Sequence, residues 1–116
     1  MRTPRILIVD DDAMISGLLA ETLEAEGPVV CGIEATEGGA VSAAARERPD
    51  LIIIKVALAA GDDVRVIEQI HHAGPVPHVF ISGERVSSGR QLLLKPFRKA
   101  DLLVAMDHAL APAGVE

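Results

Sequence analysis

The chain has 116 residues, 49% of them hydrophobic, with two phenylalanines and no tyrosine or tryptophan. That length suits one compact domain, and its core has to be aliphatic. The formal charge, 11 − 17 = −6, argues against a general nucleic-acid or anionic-membrane surface, both of which need basic patches. The lone Cys31 permits no internal disulfide, in keeping with a reducing compartment, and its apolar neighbours mark it as a small core residue. Met1 to Arg5 leads into a short apolar stretch followed by three aspartates, unlike a signal peptide, and no apolar run approaches the ~18 residues of a membrane span. A cytoplasmic location is expected.

Short β-type runs alternate with stretches of helical periodicity. Arg5 to Val9 (RILIV) reads as a buried strand. Met14, Ile15, Leu18, Leu19, Thr22 and Leu23 recur at helical spacing, and Gly27-Pro28 ends that helix. Val29 to Ile33 is a second strand. Thr36 is placed to cap a second helix, with Ala40, Val41, Ala44 and Ala45 as a small-residue stripe that stops at Pro49. Leu51 to Ile54 is an unbroken β-prone run, typical of a strand covered on both faces. Asp62 or Asp63 caps a third helix that buries Val64, Ile67 and Ile70. Val79 to Ile81 and Gln91 to Leu94 supply two more strands. A last helix from about Lys99 to Leu110 turns Leu102, Leu103, Met106 and Leu110 inward. Residues 1–111 form the domain and 112–116 a frayed tail.

This alternation implies a parallel sheet with helices on both faces, where functional residues gather at the carboxyl ends of the strands. Strand one ends in Asp10-Asp11-Asp12, strand three in Lys55, strand four in Ser82-Gly83 and strand five in Lys95-Pro96. A carboxylate pair crowded at a strand terminus is costly unless a cation offsets it. Converging acids, a serine and a lysine point to a site for a metal, a phosphoryl group or both.

The pieces ILIVDDD, RPDLIII, HVFISG and LLLKPF, in that order, resemble the receiver domains of two-component response regulators over nearly the whole chain. The resemblance implies a flavodoxin-like, doubly wound, five-stranded parallel sheet of order 2-1-3-4-5. It also implies that Asp10 and Asp11 are the metal-binding acidic pocket, that Ser82, followed by Gly83, binds the phosphoryl group, and that Lys95 salt-bridges it before a cis proline, Pro96. Histidine kinases or other two-component signalling proteins are the implied partners, with no nucleic acid and no membrane. Since no output domain follows the last helix, a stand-alone receiver is the expectation.

Two departures stand out. The aspartate that receivers phosphorylate closes strand three, and here that position is Lys55. An ammonium cannot form an acyl phosphate and, while protonated, cannot ligate Mg²⁺. In addition, Ser82 and Lys95 are 13 positions apart, while a helix with two short loops needs roughly 15 to 20 residues. Helix four, over the polar segment Glu84 to Arg90, is therefore expected to be shortened or absent. Pro77, Phe80, Ile81, Ser82 and Gly83 partly match the FATGUY subgroup of single-domain receivers, which implies kinases of the HWE or a related type.

An ordinary receiver pocket of three carboxylates and one lysine is balanced by a divalent cation. Asp10, Asp11, Lys55 and Lys95 already sum to zero. At about 4 Å and an effective dielectric near 20, each cation–carboxylate contact is worth roughly 4 kcal/mol before desolvation, so Lys55 is expected to lie across Asp10 and Asp11. No cofactor is expected, since Mg²⁺ would be required only with aspartate at position 55. The leading expectation is a signalling module, not an enzyme, that acts by protein–protein contact. The alternative is an Asp-to-Lys variant of an ordinary phosphorelay regulator. A haloacid-dehalogenase-type phosphohydrolase also fits Asp10-Asp11-Asp12, but it needs a further metal-binding acid after a later strand. Asp12 reads as a helix cap, Asp50 as a residue pointing away from the site, and His71, His72, His78 and His108 as solvated.

Overall fold

The computed structural model describes residues 3–55, 63–72, 74, 76–82, 92–94 and 99–110. In chain order these form β1 (Arg5–Val9), α1 (Ala13–Ala25), β2 (Val29–Glu34), α2 (Glu37–Glu47), β3 (Leu51–Lys55), α3 (Asp63–His72), β4 (His78–Ser82), β5 (Leu92–Leu94) and α4 (Lys99–Leu110). The strands make one sheet of order β2-β1-β3-β4-β5, every pair parallel. This is the doubly wound arrangement expected. The region foreseen as a shortened fourth helix, Glu84 to Arg90, lies outside the described residues, as do Gly83, Lys95, Pro96 and the tail.

Side-chain alternation divides the core into two layers. Ile6, Ile8, Leu51, Ile53, Val79 and Ile81 face α1 and α4, where Leu19, Leu23, Leu102, Ala105 and Met106 close over them. Leu7, Val9, Ile52, Ile54 and Phe80 face α2 and α3 and meet Ala40, Ala43, Ile67 and Ile70. Because each central strand is covered on both faces, its residues are apolar without interruption. The small side chains of α2 let that helix lie close to the sheet.

Helix α1 begins where expected: the Asp12 carboxylate accepts the amides of Met14 at 3.0 Å and Ile15 at 3.2 Å, satisfying donors with no helical partner. It ends before Gly27, whose φ of +117° is strained for any L side chain. The Thr36 hydroxyl accepts the Gly39 amide at 3.1 Å and starts α2. Cys31 marks an irregularity in β2, where the register against β1 jumps from Ile6↔Val30 to Leu7↔Gly32. The half-buried thiol donates to the Ile6 carbonyl at 3.4 Å, and burial pushes its pKa up. No helix among the described residues is long and apolar enough to cross a membrane.

Packing selects part of the periodic stripe on α1 and α2, and it corrects the expectation that His71 and His78 are solvated. Met14 and Leu18, which share the helical spacing of α1, are 76% and 55% exposed. The face that packs runs through Ile15, Ser16, Leu19 and Leu23, about a third of a turn away. On α2 the buried pair is Ala40 and Ala43, while Ala45 is exposed. His71 and His78 are half-buried. Their rings lie 5.4 Å apart, each with a nitrogen near the Val76 carbonyl, at 3.0 Å for His71 and 3.4 Å for His78.

The two leucines of α1 provide a test of this orientation. Leu23→Ala, at a fully buried site, is expected to lower unfolding free energy by about 2–5 kcal/mol. Leu18→Ala is expected to stay within about 0.5 kcal/mol of the parent. Urea denaturation of both variants checks this, and equal losses would contradict the assigned face.

Candidate functional site

The site forms where β1 and β3, adjacent in the sheet, reach their carboxyl ends. Val9 pairs with Ile54, so Asp10, next after β1, comes level with Lys55, the last residue of β3. Asp10 is buried, 3% exposed. Its amide donates to the Glu34 carbonyl of β2 at 2.9 Å, and its Oδ1 accepts the Asp12 amide at 2.9 Å. The chain is thereby turned at Asp10 into the capping conformation of Asp12. Ser16, buried on the core face of α1, directs its hydroxyl at the Asp12 carbonyl (3.0 Å) and the Asp10 carbonyl (3.4 Å). The sequence reading missed Ser16. The available signal was a serine four residues after a capping aspartate, on a helix face otherwise apolar.

Across this turn the Lys55 ammonium donates to Asp11 Oδ1 at 2.7 Å. The side chains are 30% and 20% exposed, respectively, so the pair sits at the mouth of the crevice, partly shielded from water. The hydrogen bond that Lys55 donates to Asp11 raises the Lys55 pKa above the ordinary 10.5; burial opposes the rise, and the charges of Asp11, Asp10 and Asp12 add to it. Lys55 is therefore fully charged at neutral pH.

The structure brings Asp10, Asp11 and Lys55 together. Ser82 closes β4 one strand away, where Lys55 pairs with Ile81, and its side chain lies outside the described residues, as do Gly83, Lys95 and Pro96. Asp50 is at the opposite end of the sheet, as expected. Its Oδ2 accepts the Arg5 amide at 2.8 Å, roughly 16 Å of strand from position 55. A cavity of about 490 Å³ between α2 and α3, lined by residues such as Arg48, Pro49 and Val76, is also at that far end, away from the acids.

The response regulator receiver domain model matches residues 6–107. The chain belongs to the response regulator receiver family. It is 33% identical over 119 residues to the Bacillus subtilis protein called uncharacterized transcriptional regulatory protein YbdJ, with 95% of this chain and 52% of that one covered. It is 31% identical to the Escherichia coli KDP operon transcriptional regulatory protein KdpE, with 90% and 50% covered. The chain thus spans about half the length of these curated relatives. Among solved structures, the receiver domain of the Erythrobacter litoralis PhyR response regulator superposes with a TM-score of 0.81 at 27% identity, with 97% of each chain covered.

Membership in this family implies a divalent cation at the acidic pair. Mg²⁺ demands near-octahedral oxygen coordination and is held by one or two carboxylates. Here one of the two carboxylates already carries an ammonium at hydrogen-bond distance, which supplies donors and no acceptor. Among the described residues, no group of three or more His, Cys, Asp or Glu side chains is placed to hold a metal. An incoming cation would therefore compete with the Lys55 ammonium for Asp11.

Alkaline titration tests the pair's contribution to folding. Since the folded pKa of Lys55 lies above its unfolded value, the stabilisation is complete below pH 10.5 and is lost as pH rises through the folded value. The parent is expected to exceed Lys55→Met by on the order of 1 kcal/mol near neutrality, with the gap closing above that pH. Urea midpoints measured across the alkaline range check it.

Proposed function

We propose that this receiver is a signalling module that takes no phosphoryl group at position 55 and works by binding another protein of a two-component system, a histidine kinase or one of its partners. One observation carries the reading. At the end of β3, the position a receiver uses to accept phosphate, there is a lysine whose ammonium is held 2.7 Å from Asp11 Oδ1.

An acyl phosphate needs a carboxylate oxygen as nucleophile, and phosphoryl chemistry needs the charge of the transferred group neutralised. Lys55 offers no carboxylate and ties up one acid of the pocket. Asp50 is no substitute, because its side chain is bound to the Arg5 amide at the far end of β3. With that chemistry removed, what remains is the surface of a receiver fold: a module that engages its partner in one state rather than two. The rest of the site supports a loss confined to one position. Asp10 and Asp11 remain at the end of β1, and Ser82 ends β4.

The test is intact mass after incubation with acetyl phosphate and Mg²⁺. The parent is expected to gain no phosphoryl adduct, and Lys55→Asp is expected to gain one. A stable adduct on the parent would contradict the proposal. In a pull-down, capture of the partner by the parent is expected to be unchanged by the phosphodonor.

A further inference from the structure

We propose that the Lys55 ammonium is the resident cation of this receiver's acidic crevice, so that the parent domain excludes divalent metal and removal of that one positive charge creates a metal site. The inference extends the proposed function, since it rests on the same placement of Lys55, but it concerns what the crevice binds and not what reacts there.

The argument begins with the acids. Asp10 is buried and Asp11 is mostly so, and the backbone turn from β1 into α1 holds both at one strand end. Two neighbouring carboxylates in such a place attract a cation. A receiver lysine one strand away is long enough to provide it, and here it does, at 2.7 Å from Asp11 Oδ1. A tethered ammonium has an advantage over a dissolved ion, because the chain has already brought it to the acids and no separate association step is needed.

Mg²⁺ would then have to displace that ammonium. It would meet a fixed positive charge at the oxygen it must ligate, and it sheds its waters reluctantly. The crevice is thereby insensitive to metal supply as well as to phosphodonor.

The experiment titrates Mg²⁺ alone, and Mn²⁺ alone, into the parent, Lys55→Met, Lys55→Arg and the double variant Lys55→Met/Asp11→Asn. The readouts are amide shifts of residues 10–12, Mn²⁺-induced broadening and Tm. The parent and Lys55→Arg are expected to show no saturable response at millimolar metal. Lys55→Met is expected to bind at least tenfold more tightly than the parent and to gain Tm with metal, and the double variant to lose that gain. Circular dichroism of each variant without metal confirms that it is folded. Saturable millimolar binding by the parent, or folded Lys55→Met binding no better than the parent, would overturn the proposal. The two readings fail separately: metal binding by an unlabelled parent refutes only this one, whereas a phosphoryl adduct on the parent refutes the proposed function.

Discussion

The ion pair between Lys55 and Asp11 is the interaction on which the reading of this receiver depends. It is a product of the sheet. Parallel pairing of β1 with β3 in the register Val9↔Ile54 brings the first residues after β1 level with the last residue of β3. The two core layers hold that register, because a slip of one residue would carry Asp10 or Lys55 into the apolar core and repack both layers. The apolar runs that fill the core therefore also set the distance between an ammonium and a carboxylate at the crevice mouth.

The turn after β1 contributes equally. Asp10 is held by the Glu34 carbonyl and the Asp12 amide, Asp12 by the first amides of α1, and Ser16 links the carbonyls of both. Three consecutive aspartates thus have three different tasks. The first is buried and shapes the turn, the second meets Lys55, and the third caps the helix. In the reading proposed above, such a scaffold keeps a receiver's acid pair in place while the residue opposite it has changed sign. On the same reading, that single reversal accounts for both the lost phosphoacceptor and the lost metal.

Much of the fold was legible in the sequence, because the signals involved are local and strong. Leu51 to Ile54 is the unbroken β-prone run typical of a strand covered on both faces, and Asp12 and Thr36 preceded helical patterns as caps do. What was not legible was the rotation of each helix about its axis. Met14 and Leu18 are as apolar as Ile15 and Leu19, so periodicity alone allowed a broad stripe, and contact with the sheet selected part of it. The alanine-rich α2 posed the same difficulty in a milder form, with Ala43 buried in place of Ala45. His71 and His78 are seven residues apart in the chain, on α3 and β4, and their rings meet beside the Val76 carbonyl. No sequence spacing announced that they share a carbonyl. The acids and the lysine were found by their positions at strand ends. Ser16 was not, because its role depends on which way α1 faces.

The central claim is that Lys55 faces the acid pair and is held by Asp11. Its most direct measurement is the titration of the Lys55 ammonium itself, followed by nitrogen-detected NMR in the parent and in Asp11→Asn. The account predicts a pKa above 10.5 in the parent and a fall toward that value when the Asp11 charge is removed. An amine that titrates at the ordinary lysine value and is indifferent to Asp11→Asn would contradict it.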